Sequence, residues 1–441
     1  MTKQTRREFY RYIFLSTFGM LGLAGTILAD TFFVSDRLGP DGLAALNIAI
    51  CIFGLINGLG LLFGIGGATC FSILKARKED EKADEIFTIS LYMAVGTGFI
   101  LWLTGMCFSR QIVTALGAKG IILPMSDIYM KTILCFAPFF IIRHIYVSFI
   151  RNDGNPRLAM SAMLIGSVAN IILDYLFIYP MNMGIFGAAL ATGLTPVISI
   201  VICSPHLIRR KNNFHLTKTK PTFSKIGRIC CFGIAAFINE FSSGIVLLIF
   251  NLLILKYSGN MGVAAYGIIA NLALIVMAVY TGISQGVQPL LSRAYGEGKM
   301  EEVNKVFRHS MVVSFMSGGI VVAGTYRFAP MLVAIFNNEH HARLQSIAES
   351  GLKIYFLSFL FLGCNFMLSA LFCATERTGY AFVVSFFRGC IGIIVLAVLF
   401  SVLWGLTGIW ISVPAVEVAA LVMGVVFYEK QKKKSPMVFE P

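Results

Sequence analysis

Twelve runs of apolar residues, each long enough to cross a bilayer, dominate this chain. A spanning helix needs about 20 such residues. The runs lie near 11–35, 44–74, 86–108, 124–150, 158–180, 184–204, 226–256, 262–292, 308–333, 346–374, 379–402 and 406–428. Hydrocarbon offers no water to exposed N–H and C=O groups. Each run is therefore predicted to be an α-helix, which satisfies its own backbone. Composition agrees: 13% of residues are charged, against about 25% in a soluble domain. A soluble fold has no interior large enough for a chain that is 57% hydrophobic. Pro138, Pro196, Pro289 and Pro414 fall inside runs, where kinks are expected.

The loop charges orient the spans. With the N-terminus in the cytoplasm, 26 Lys and Arg fall on that side and 8 on the other, with Arg143 and Arg388 inside spans. Cytoplasmic loops carry the Lys/Arg excess, so both termini are expected inside, and an even number of spans agrees in placing them on one side. The net charge of +14 is thereby assigned to membrane orientation, and no nucleic-acid partner is expected. The ten cysteines show no metal or redox spacing and read as small hydrophobic thiols. The charged start runs into an apolar stretch too long for a signal-peptide core.

The longest basic connection, 205–225, separates two sets of six spans. Sliding the chain by 220 positions brings Gly39 onto Gly259, Gly66 onto Gly286, Ser72 onto Ser292 and Phe87 onto Phe307. Six spans per half give both halves the same orientation. The expected fold is thus all-α integral membrane. Its twelve transmembrane helices form two six-helix lobes related by a pseudo-two-fold axis along the membrane normal, with a central cleft. The expected domains are an N-terminal lobe 1–204, a cytoplasmic basic linker 205–225, a C-terminal lobe 226–428 and a cytoplasmic tail 429–441.

An ionisable group in hydrocarbon costs at least about 2.5–3.5 kcal/mol, so each one needs a reason. Asp30, Asp174, Glu240 and Glu417 are the acids in question. At 1.5 Å per residue, Asp30 and Asp174 both come about 25–30 Å above the inner end of their spans. Asn170 lies one turn before Asp174, on the same face. Two carboxylates and an amide oxygen at one depth can hold Na⁺, or the acids can share a proton. The plainer alternative is mutual burial, or Asp30 in the headgroup zone. The 220-residue shift puts Phe250 opposite Asp30 and Leu396 near Asp174, so the second half lacks these acids. Glu240 falls near mid-membrane, where it can attract a cationic substrate, exchange a proton or form a structural pair. Glu417 reads as structural if Arg388 is its partner. Arg143 and His144 read as an interhelical or snorkelling pair. Gln285, Gln288, Asn47, Asn57 and Asn271 serve either interhelical hydrogen bonds or a substrate path.

Several motifs resemble one family. They are Ala29-Asp30-Thr31-Phe32-Phe33-Val34 before Leu38-Gly39, the loop from Arg151 to Pro156, Asn170 to Asp174, Gly184 to Thr192, and Gly282-Ile283-Ser284-Gln285-Gly286-Val287-Gln288-Pro289 with Tyr295-Gly296. Together they are similar to the MATE (multidrug and toxic compound extrusion) transporters, over nearly the whole chain and most like a MepA-like bacterial branch. The resemblance implies a multi-pass inner-membrane protein, expected as a monomer, that is an H⁺ or Na⁺/drug antiporter. It would export lipophilic, often cationic and aromatic compounds by rocker-switch alternating access, without a cofactor. It implies a cation site at Asp30, Asn170 and Asp174, with Thr192 a further member and no metal beyond Na⁺. It leaves Glu240 and Gln285 to substrate or proton. One branch of the family pairs a glutamate in span seven with an aspartate in span ten; here span ten has Asn365 and no acid. Two rivals are a lipid-linked oligosaccharide flippase of the same superfamily and a membrane enzyme acting on lipid-linked substrates. The first expects a cationic cavity and the second a catalytic cluster at an interface loop. No HExxH, phosphate-binding glycine loop or GxSxG occurs. His340-His341 reads as a solvated pair.

Overall fold

The computed structural model describes residues 3–337 and 341–434; His340 and the end of the tail, 435–441, lie outside them. Among the described residues all regular structure is helical. The helices are α1 (Lys3–Ala76), α2 (Asp80–Ala115), α3 (Ile122–Cys135), α4 (Ala137–Asn152), α5 (Pro156–Ile178), α6 (Gly184–Ile208), α7 (Phe223–Gly296), α8 (Met300–Ala334), α9 (Ala342–Phe356), α10 (Phe359–Ala374), α11 (Thr378–Phe386) and α12 (Gly392–Lys434). A π-helical turn, Phe387–Ile391, joins α11 to α12.

Eight helical stretches are long and apolar enough to cross a membrane, and α3 with α4 makes a ninth, bent by 46°. Pro138 stands at that bend. Pro196, Pro289 and Pro414 instead lie inside continuous helix. Three of the nine stretches contain a reversal. Gly39 and Gly259 carry φ of 66° and 61° with extended ψ, a conformation that only glycine adopts at low cost. Residues eight apart in a straight helix are about 12 Å apart. Yet a methyl group on Gly42 would sit 3.3 Å from Val34, and one on Gly262 would sit 2.8 Å from Ile254. The chain therefore doubles back at both glycines. The same reversal occurs at Gly405, where a methyl on Gly408 would overlap the Phe400 carbonyl. Nine stretches with three reversals are the twelve spans expected.

The repeat is visible in the backbone as well. Among the described residues, eight of the twelve with positive φ come in pairs: Gly39 with Gly259, Lys78 with Gly298, Gly154 with Glu376, and Gly184 with Gly405. Their spacings are 220, 220, 222 and 221 residues, so each half turns at corresponding places.

By contact the chain divides into two compact units, Phe18–Phe241 and Met1–Thr17 with Ser242–Pro441. Within the first, the start of α7 packs on the second limb of α1. A side chain on Gly66 would run into the backbone of Ile229 and Gly233, and one on Gly233 into the carbonyl of Leu62. Within the second, the start of α1 packs on the second limb of α7. There Gly286 stands 2.8 Å from the Tyr12 carbonyl, measured from a methyl it lacks, and Gly282 abuts Thr17. The Gly66–Gly233 approach thus recurs, 220 positions away, as Gly286–Ile13. Small residues let helix backbones touch, and in lipid such packing carries the association. Thr5 donates to Glu302 (2.9 Å) and Arg293 to Glu8 (2.7 Å), tying the ends of the second unit.

The basic connection is a docked strap. Residues 209–213 turn away from the end of α6 and 214–222 run on to α7 without regular structure, with Asn212 and Phe214 buried and Thr217 and Thr219 half-buried. Phe214 is fully buried, with its ring 4.6, 5.7 and 5.9 Å from those of Phe87, Phe149 and Phe71. Asn213 gives both its backbone and side-chain N–H to Asp153 at 2.9 Å. Burial of Asp153 raises its carboxyl above the ordinary value, and these two hydrogen bonds oppose the rise. The His215 N–H donates to Asp84 (3.1 Å), the Thr217 N–H to Thr88 (3.0 Å), and Lys225 to Glu85 (2.8 Å). A buried Phe→Ala change costs about 3–5 kcal/mol. Phe214→Ala is therefore expected to speed tryptic cleavage between 209 and 220 in detergent by at least about tenfold. An unchanged rate would show that the ring does not hold the strap.

Candidate cation site and buried charges

Asp30 belongs to the first limb of α1, Asn170 and Asp174 to α5, and Thr192 to α6. All four lie in the unit Phe18–Phe241. They are 8%, 0%, 0% and 9% exposed, which places every one inside the helix bundle. Asp30 and Asp174 act on each other electrostatically, and both act on Tyr129 of α3, whose hydroxyl approaches Thr192. Ser167, Asn170 and Asp174 stand at i, i+3 and i+7 and share one face of α5.

The polar atoms here lack protein partners. Asp30 Oδ1, both Asp174 oxygens, Asn170 Oδ1 and Nδ2, Thr192 Oγ1 and Ser167 Oγ are buried without a hydrogen bond. An unsatisfied buried polar group costs about 1–3 kcal/mol, more when charged. Among the described residues neither carboxylate is in an ion pair with Lys, Arg or His. Orphaned oxygens beside two carboxylates can accept a small cation, a proton or water. Tyr129 was missed from sequence because a tyrosine in an apolar run is ordinary; only the fold brings it beside Thr192 and the acids.

The matching place in the second half is a hydrophobic core. Phe250 is 1% exposed, and its ring lies 5.5 Å from that of Tyr266, which in turn is 5.9 Å from Trp410. The second unit keeps its buried acid elsewhere and neutralises it. Arg388 Nη1 donates to Glu417 Oε1 (3.1 Å), while Asn365 Nδ2 donates to Glu417 Oε2 (2.7 Å) and to its carbonyl (2.9 Å). The guanidinium also lies 4.7 Å from the centre of the Phe366 ring. The π-helical turn holds Arg388; such bulges insert one residue into a helix and re-aim its side chains. Glu417 is thus a structural acid with its partner in place.

Arg143, buried, and His144, half-buried, form a third polar group, on α4. His144 Nε2 lies 3.1 Å from Arg143 Nη2 and 3.0 Å from Asn57 Oδ1 on the second limb of α1. Arg143 is 5% exposed, so it does not snorkel, and the opposite charge acting on it is Glu240. Glu240 is half-buried in the same unit, whereas Gln285 is buried in the other. Gln288 donates to Ser292 (3.1 Å), one turn along its own helix.

Twelve spans in a parallel repeat, with charged groups buried inside the bundle, are the architecture of a membrane transporter. The chain belongs to the MatE family, whose profile matches residues 16–176 and 235–399. It is 31% identical over 406 residues to the multidrug export protein MepA of Staphylococcus saprophyticus, covering 91% of this chain and 88% of that protein. It is 28% identical over 425 residues to MepA of Staphylococcus aureus, covering 93% and 92%. Among solved structures, an outward-facing multidrug resistance MATE family transporter of the MOP superfamily superposes with a TM-score of 0.91 at 24% identity. That match covers 97% of this chain and 96% of the other.

Proposed function

We propose that this protein is a multidrug exporter of the cytoplasmic membrane, with both termini inside, that exchanges H⁺ or Na⁺ for lipophilic, often cationic compounds. The observation that carries the reading is the cluster of orphaned oxygens at Asp30, Asn170, Asp174 and Thr192, with no basic residue to neutralise it. The multidrug export activity named for the staphylococcal relatives supports the substrate class.

A cation entering from outside binds both carboxylates, with Asn170, Thr192 and Tyr129 completing the shell. It drives alternating access only if it binds one conformation more tightly than the other. Glu240 is the acid assigned to the cationic group of the drug, with Arg143 as its counter-charge in the drug-free state. Gln285 contributes a polar group to the drug path. The protein is expected to act as a monomer.

The test is accumulation of a fluorescent cationic dye in cells with and without the protein. Expression is expected to lower accumulation several-fold, and a protonophore or Na⁺ ionophore to restore it. Dye export that survives collapse of both gradients would end the antiport reading. Replacing Na⁺ with choline in vesicles then separates Na⁺ from H⁺ as the driving ion.

A further inference from the structure

The strap has an outer face that no part of the transport scheme uses. Its inner face is consumed by Asn212, Phe214, Thr217 and Thr219, which are buried or half-buried. Pointing away are Arg209, Arg210, Lys211, Lys218 and Lys220, all exposed and, among the described residues, without an ion pair. The chain has no Asp or Glu anywhere from 175 to 239, so nothing local offsets these charges. The acids nearest the strap, Asp84, Glu85 and Asp153, are occupied by strap N–H groups, Asn213 and Lys225.

Three apolar side chains share this outer face and its edges. Ile208 is 79% exposed, Leu216 67% and Phe223 96%. Ile208 ends α6 and Phe223 begins α7, so the strap runs where those spans leave the hydrocarbon. A surface of unpaired cations interleaved with protruding apolar groups suits neither open water nor hydrocarbon. It matches the headgroup zone of an anionic leaflet, where cations meet phosphates and apolar tips enter the acyl boundary.

We propose that the outer face of the strap is a docking surface for anionic phospholipid headgroups. The strap is held from within by Phe214 and from without by lipid phosphate. Bilayer composition then acts on the segment that connects α6 to α7.

The experiment uses the full chain in vesicles with spin-labelled phosphatidylglycerol and phosphatidylcholine, reading their relative association by electron paramagnetic resonance. The wild-type protein is expected to prefer phosphatidylglycerol. A variant with Arg209, Arg210, Lys211, Lys218 and Lys220 all changed to Gln is expected to lose most of that preference, about fivefold or more. A control with Lys75, Lys82, Lys299 and Lys305 changed to Gln removes only cations held in ion pairs, and is expected to keep it. Inorganic phosphate at millimolar concentration is expected to leave the preference in place. Equal preference in wild type and the five-site variant would overturn the proposal, as would full displacement by free phosphate. So would loss of the preference in the control. A second measurement needs no charge change. Phe223→Trp is expected to add fluorescence that phosphatidylglycerol brominated near its headgroup quenches, above the background of the three native tryptophans. Unquenched Trp at 223 would place this face in the cytosol and sink the idea.

Discussion

Asp30→Asn and Asp174→Asn each reduce gradient-driven efflux to background while leaving protein in the membrane. An amide keeps the volume of the carboxyl and its ability to hydrogen-bond, so packing in the bundle is preserved. What it cannot do is change charge. Two buried carboxylates with no basic partner require a cation, either a proton or Na⁺, and transport needs that cation to bind and leave once per cycle. With one acid neutral, the site no longer reports which side of the membrane it faces. The fold should tolerate the change, because removing an uncompensated buried charge removes a cost. Both variants are thus expected to reach wild-type abundance and thermal stability in detergent. Dye efflux at wild-type rates in both would refute the assignment of this site. Efflux lost together with the protein would refute the claim that the acids serve coupling and not folding. Tyr129→Phe is the milder companion, since it removes only an outer oxygen of the shell. Such removals typically weaken ion binding by about 10–100-fold.

Arg388→Leu is expected to be the most damaging single change in the second unit. It leaves the Glu417 charge buried at 4% exposure, with a hydrogen bond from the neutral Asn365 amide and no counter-charge from Arg388. Breaking a buried pair from one side costs about 3–5 kcal/mol, because the surviving charge stays out of water. Glu417→Leu strands the guanidinium in the same way, relieved in part by the Phe366 ring. Removing both charges together is expected to be nearly harmless, since similar buried pairs are often replaced by apolar residues at little cost or a gain. Melting of the purified singles and the double in detergent measures this directly. The expected pattern is two strongly destabilised singles and a double close to wild type. Singles as stable as wild type would mean that water reaches the pair and that Glu417 is free to titrate. That result would reopen a second ion site.

These two acids differ by their surroundings alone. Asp30 and Glu417 both stand out in sequence as charges in apolar runs, and both looked like candidates for one reason: the energetic cost of being there. The cost identifies a position and says nothing of what meets it. Phe250 shows the converse. Its place opposite Asp30 was readable from the 220-residue shift, but its aromatic neighbours Tyr266 and Trp410 come from other helices. Phe214 carried no signal at all, being one aromatic residue in a basic stretch. Its socket is built from three helices far away along the chain.

The spans, their number, the parallel repeat and the acids within apolar runs follow from the sequence by itself. Each rests on quantities legible along the chain: the apolar length a bilayer demands, the recurrence of residues at a fixed spacing, and the price of a charge in hydrocarbon. Only the tertiary structure decided which buried charges are neutralised. It also brought Tyr129 beside Thr192 and the two buried aspartates and folded the linker down as a strap. Those outcomes depend on side chains from distant helices meeting within a few ångströms, and no local pattern in a chain encodes which distant residue will arrive.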